Sequence, residues 1–183
     1  MEYRILYSRR KTLAIEITPL GEVLVRAPLR MAKRDIRRFV ESRSHWIAAH
    51  LARVPTVTPL TQEEHRQLIL SAKQILPEKA AFYARQMGVS FGRITIRSQK
   101  TRWGSCSASG NLSFNCLLML APEEIQNYVV VHELCHRKEM NHSSRFWTEV
   151  AAVLPDYTDS RNWLKEHGTS LLARLSQMSD AQK

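Results

Sequence analysis

The sequence has 183 residues, 44% of them hydrophobic and 24% charged, with a formal net charge of +10. That length holds one domain, or one domain with a small N-terminal extension, and the composition is that of a soluble globular protein. A membrane-spanning class is excluded by the longest apolar stretch, CLLMLA at 116–121, and a disulfide scaffold by having only Cys106, Cys116 and Cys135. The opening MEYRILYSRRK has no basic-then-apolar leader layout, so a cytoplasmic protein is expected.

The charge is uneven. Residues 1–100 hold 19 Lys and Arg against 8 Asp and Glu, whereas residues 101–183 hold 8 against 9. A basic N-terminal half that meets an acidic partner, beside a near-neutral half with another task, fits this distribution; solvated basic faces without a partner fit it too.

In chain order, YRILYS, LAIEITP and EVLVRAP alternate or cluster apolar residues between turn signals and predict three strands. A basic helix is predicted from about Ala32 to Arg53, with Ile36, Phe39, Val40, Ile47 and Leu51 on one stripe and Arg34, Arg37 and Arg38 pointing elsewhere. VPTVTPLT (54–61) reads as a linker. A helix follows from Gln62 to about Met87, kinked or split at Pro77 and stopped by Gly88. FGRITIRS (91–98) and GNLSFN (110–115) read as strands joined by QKTRWGSCSAS. Pro122, Glu123 and Glu124 open a helix. SSRFWTEVAAVL (143–154) is helical, with Ser143 or Ser144 as its cap. A last helix begins at DSRNWLKEHG, where Gly168 is a potential interruption.

The helix opened by Pro122 carries VVHELCHRKEMNH (130–142). His132 and His136 stand one turn apart on the same face, spaced to hold one Zn²⁺, and Glu133 adjoins the first ligand without being one. A catalytic zinc has three protein ligands and a fourth, open position for water, which Glu133 is placed to deprotonate. The third ligand requires the helix to end after His136, because six further helical residues would turn His142 away from the metal. Asn141 in the left-handed conformation would make that turn. Glu149 is the rival ligand, and Glu149 and Asp156 are also placed to orient a ligand imidazole. Cys135 points elsewhere and should simply pack; Cys106 is a packed thiol, a reactive one or a metal ligand in an inhibited form, with packing favoured.

TRWGSCSASGNLSFN, VVVHELCHRKEMNHSSRFW and PDY together resemble the YgjP-like metallopeptidase family, related to the SprT-like zincins, most strongly over residues 90–165. The resemblance implies an α+β fold: a compact zincin-like core with an active-site helix, backing helices and a small, mostly antiparallel sheet. N-terminal strands and a basic helix would occupy residues 1–54 and the core 55–183, the two together expected as one compact unit. It implies His132, His136 and His142 as ligands of one zinc ion per chain and Glu133 as general base. Glu139 stands where metzincins have glycine, so the chain departs from that pattern.

By analogy with zincins, GNLSFN would be an edge strand that holds an extended peptide, with Asn111 and Ser113 on it. Arg102 and Trp103 would either shape the cleft rim or anchor their loop. Arg145, Tyr157 and Arg161 are all eligible to stabilise an oxyanion. The leading function is therefore a zinc metallopeptidase acting on a peptide or protein. Metal-dependent nucleotide pyrophosphohydrolysis is the second reading, weakened by the lack of a glycine-rich phosphate loop. A third joins proteolysis to nucleic-acid or other acidic-partner binding through Arg34, Arg37, Arg38 and Arg43.

Overall fold

A computed structural model describes residues 2–18, 21–54 and 57–175. Pro19, at the end of the second predicted strand, and Pro55 and Thr56 of the predicted linker lie outside the described residues. The chain divides into two compact units, Met1–Val57 and Thr58–Lys183, and the division falls within the proline-bearing stretch 54–61. Among the described residues no helix is long and apolar enough to cross a membrane.

The first unit holds β1 (Arg4–Ser8), β2 (Ala14–Ile17) and β3 (Val23–Pro28), then α1 (Lys33–Ser42) and α2 (Ser44–Leu51). β3 is central, parallel to β1 and antiparallel to β2. Alternate residues Val23, Val25 and Ala27 point to one face and are buried against Ile36, Val40 and Ile47 of the helices. The single basic helix expected over 32–53 is broken at Arg43 (φ −110°, ψ 10°). The Ser42 hydroxyl donates to the Phe39 carbonyl at 2.7 Å, and the Arg43 amide bonds to Val40 at 3.1 Å. Such short-range bonds compete with the helical ladder and end it there.

The second unit opens with α3 (Gln62–Met87), whose N-terminus is closed by a reciprocal pair: Thr61 accepts from the Glu64 amide and Glu64 accepts from the Thr61 amide. Pro77 does not split this helix. Proline leaves the Lys73 carbonyl without a donor, but Lys73 is exposed and water can supply one. Ala72, Leu76, Ala80, Ala84 and Met87 form its buried stripe, and Gly88 ends it at φ 65°, a conformation that suits glycine.

Next come β4 (Ile94–Arg97), β5 (Gly104–Cys106) and β6 (Leu112–Asn115), a short 3₁₀ turn (Cys116–Leu120), α4 (Glu123–Cys135), α5 (Ser144–Val153) and α6 (Tyr157–Ala173). The strand order is β4-β6-β5, with β4 parallel and β5 antiparallel to β6. Each sheet of the protein is thus mixed rather than mostly antiparallel. GNLSFN is therefore the central strand and not the expected edge; the edges are β4 and β5, the latter a strand the sequence pattern did not reveal. Gly168 is buried within an unbroken α6, packed against Trp103, which explains why a glycine there does not interrupt the helix.

Candidate metal centre

α4 contains β-branched Val129, Val130 and Val131, which have only modest helix propensity, so burial rather than local preference holds it helical. These valines, with Leu134 and Cys135, pack into the core shared with α3, β6 and α5. His132 and Glu133 lie in the last turn, and His136 forms the C-cap while still right-handed (φ −64°, ψ −10°). His132 and His136 therefore keep the one-turn relation that puts both rings on one side.

The helix closes without a left-handed residue. Among the described residues no non-glycine residue has positive φ, so Asn141 does not make the turn in the expected way. Instead the last turn tightens: the Arg137 amide bonds to Leu134 and the Lys138 amide to Cys135, both at 2.9 Å. Ser143 then caps α5 by accepting from the Phe146 amide, and His142, one residue earlier, returns to the other two histidines.

The three rings converge. Their centroids are 5.2 Å apart for His132–His136 and 4.9 Å for each pair with His142. One ligand atom from each lies within 4.8 Å of the others, and the Nε2 atoms of His132 and His142 are 3.0 Å apart. Phe146, fully buried, forms the floor, with its ring 4.7–4.8 Å from all three. The His136 Nδ1–H donates to the Glu139 carbonyl at 3.0 Å, which leaves the Nε2 lone pair free for a cation. Burial, reinforced by its neighbours His136, His142 and Arg161, pushes the His132 pKa down to about 3, and burial also lowers that of His136. Both imidazoles are thereby held neutral, as metal ligation requires. The His132 Nδ1 is buried with no protein partner. Three imidazoles whose nitrogens face one another, two of them held neutral, fit a divalent cation.

Glu133 is only 6% exposed, and burial raises its pKa to about 8. Its side chain lies against Gly104 of β5: a Cβ at that position would stand 2.7 Å from the Glu133 Cγ and Oε1. Only glycine lets the edge strand approach the carboxyl so closely. Gly104 is thus a site residue that sequence reasoning missed, although it sits in the quoted RWGSC.

The other expected residues divide. Tyr157 and Arg161 join the histidines: Tyr157 stacks between Tyr128 and Trp147, and the Arg161 guanidinium lies 4.6 Å over the Trp147 ring, which itself stacks on His142. Asn111 is instead consumed in the β5–β6 turn, where its Oδ1 accepts from the Arg93 amide and its Nδ2 donates to Ser109. Ser113 sits mid-strand, paired with Thr95 and Ser105. Trp103 packs into two apolar clusters and so anchors its loop. The Arg102 carbonyl, like that of Gln99, accepts from the buried Asn115 Nδ2. Asn115, also unforeseen, thereby ties down the loop that leads into β5.

Glu149 is no ligand; it pairs with Lys138 at 2.7 Å. The carboxylate orientation expected from Glu149 or Asp156 is supplied at His136 by the Glu139 carbonyl, a group that no side-chain pattern can announce. Cys135 is buried, with its thiol pushed up to about 12 mainly by burial, and Cys106 is half-buried with its pKa raised by the same cause.

A short helix presenting two histidines and a glutamate, a third histidine returned by a tight turn, and an edge strand laid against the glutamate are the parts that a metallopeptidase site requires. The chain belongs to the YgjP-like family: the model described as "YgjP-like, metallopeptidase domain" matches residues 11–70 and 61–167, most of its length. Among solved structures it is similar to the metallopeptidase zymogen abylysin of Pyrococcus abyssi, with 25% identity, 50% of this chain and 94% of that one covered, and a TM-score of 0.45. The metallopeptidase zymogen jannalysin of Methanocaldococcus jannaschii is similar at 19% identity, with the same coverage and a TM-score of 0.45. No curated protein matches the chain.

Proposed function

We propose that the chain is a zinc-dependent peptidase in which His132, His136 and His142 hold one zinc ion and Glu133 is the general base. The observation that carries this reading is the convergence of three imidazoles beside a buried carboxyl that abuts an edge strand. A donor set of nitrogen alone suits zinc among the available divalent ions. Bound there, the cation would polarise a carbonyl and acidify water.

Glu133 takes the proton of the attacking water and passes it to the leaving amine. Burial raises its pKa, which makes the ionised carboxylate a stronger base toward that proton. An extended peptide would pair with the outer edge of β5, because β6 covers only the other side. Tyr157 and Arg161, fixed by stacking on Trp147, would supply donors for developing oxyanion charge. The free thiols of Cys106, Cys116 and Cys135 suit a reducing, cytoplasmic setting.

Two variants test the reading. Glu133→Gln should retain zinc by elemental analysis and lose about 10²–10⁴-fold in peptide hydrolysis. His142→Ala should lose both metal and activity. Wild-type protein that purifies without zinc, or His142→Ala that binds zinc as the wild type does, would overturn it.

A further inference from the structure

The three histidines lie in Thr58–Lys183, whereas the unit Met1–Val57 holds most of the charge surplus, with twelve Lys and Arg against five Asp and Glu. Arg26 pairs with Glu16, and Arg34 lies 3.7 Å from Asp35. Among the described residues Arg37, Arg38 and Arg43 have no carboxylate partner. Arg34, Arg37 and Arg38 follow helical i, i+3, i+4 spacing, so they leave α1 on one face, away from buried Ile36 and Val40.

Away from Arg37, which faces Tyr3 and Glu41 instead, Ile15, Phe39, Arg43 and Trp46 line a crevice of about 220 Å³. Trp46 is 41% exposed. His50 stacks against it, with ring centroids 4.0 Å apart, and the His50 Nδ1–H donates to the Trp46 carbonyl at 2.9 Å. The exposed indole is therefore braced rather than loose.

We propose that this unit binds single-stranded nucleic acid, with Trp46 stacking on an unpaired base in the crevice and Arg34, Arg37, Arg38 and Arg43 following the phosphates. Aromatic platforms flanked by cations suit that ligand, because every unpaired base offers a π face and every linkage a negative charge. A duplex keeps its base faces stacked and offers none to Trp46. An acidic peptide would satisfy the arginines but leave the indole unused.

The test uses the full chain and fluorescent oligonucleotides of about 15 nucleotides, dT and rU, with anisotropy followed from about 50 to 200 mM salt. Binding should weaken steeply with salt, and Arg37→Ala/Arg38→Ala should reduce the log–log slope by about 1.4. Trp46→Ala should weaken binding roughly 5- to 150-fold with the slope unchanged, while Trp46→Phe keeps most of the affinity. Far-UV circular dichroism confirms that each variant is folded. No binding at the lowest salt, wild-type affinity in folded Trp46→Ala, or tighter binding to a matched duplex, to polyglutamate or to anionic vesicles would overturn the proposal. Preference between dT and rU identifies the natural strand. The metal-site variants leave this assay unchanged, so its outcome is separate from that of the peptidase reading.

Discussion

The two units of this protein spend their polar residues in opposite ways. In Met1–Val57 the arginines of α1 stand in solvent around a small core of Val23, Val25, Ala27, Ile36, Val40 and Ile47. In Thr58–Lys183 the decisive polar groups are enclosed: Glu133 and Asn115 are buried, His132 is half-buried, and all are set among Phe146, the α4 valines and the 3₁₀ turn. A solvated charge costs little to keep and little to lose. An enclosed one is kept only because something uses it, whether a hydrogen bond or a metal. The contrast fits the two proposals: a first unit that binds through its surface and a second that encloses its chemistry.

The sharpest way to break that contrast is to remove one aromatic ring from each unit. Phe146→Ala takes out a fully buried ring beneath three histidines and should cost about 3–5 kcal/mol in urea denaturation, with weakened metal binding as a consequence. Trp46→Ala removes a larger ring that is already 41% exposed and should cost less than about 1 kcal/mol. Comparable losses at the two positions would mean that the first unit encloses its aromatics as the second does.

A smaller effect sharpens the account of enclosure through pH. In chelator-treated protein the His132 pKa is depressed to about 3 from 6.5, so between those values the unfolded chain binds the extra proton. Stability from this residue is complete above 6.5 and is lost as pH falls. Glu133 works the other way. Its pKa is raised to about 8 from 4.5, so the folded chain holds the extra proton, and its contribution is complete below 4.5 and lost as pH rises toward 8. Apoprotein stability should therefore climb through the most acid range, level off, and decline above pH 6.5. In Glu133→Gln the alkaline decline should disappear, a difference on the order of 2 kcal/mol at pH 8. Denaturation midpoints across that range check it, and an unchanged decline would show that the carboxyl is not enclosed.

How much of this was legible beforehand follows the same division between pattern and pairing. The His132–His136 pair, the adjoining Glu133, the proline-opened helix, the Ser143 cap and the Gly88 stop are local signals, each carried by a few residues whose chemistry acts on its neighbours. β5 is three residues long and has no apolar alternation; pairing with β6 makes it a strand, so no window of sequence could show it. The same non-local cause turned GNLSFN from an expected edge into a centre and drew Asn111 away from any substrate into the Arg93 amide. Gly104 shows its purpose only once β5 lies on Glu133. The break at Arg43 was local in origin, but a serine hydroxyl that can bond back to its own helix is a weak signal against a strong apolar stripe.

The smallest expected effect bears on the one enclosed-looking charge that is not enclosed. Glu149 sits near the centre in sequence and was eligible as a ligand, yet its pair with Lys138 leaves both side chains more than a third exposed. Solvent screens such a pair, and the entropy of fixing two long chains offsets much of its attraction. Glu149→Ala should therefore change stability by less than about 1 kcal/mol and leave zinc content as in the wild type. It should not shift the pH–activity profile either, because the Glu139 carbonyl, and not this carboxylate, holds the His136 imidazole. Loss of metal in this variant would transfer Glu149 to the chemical half of the molecule and place His142 in the role of a neighbour.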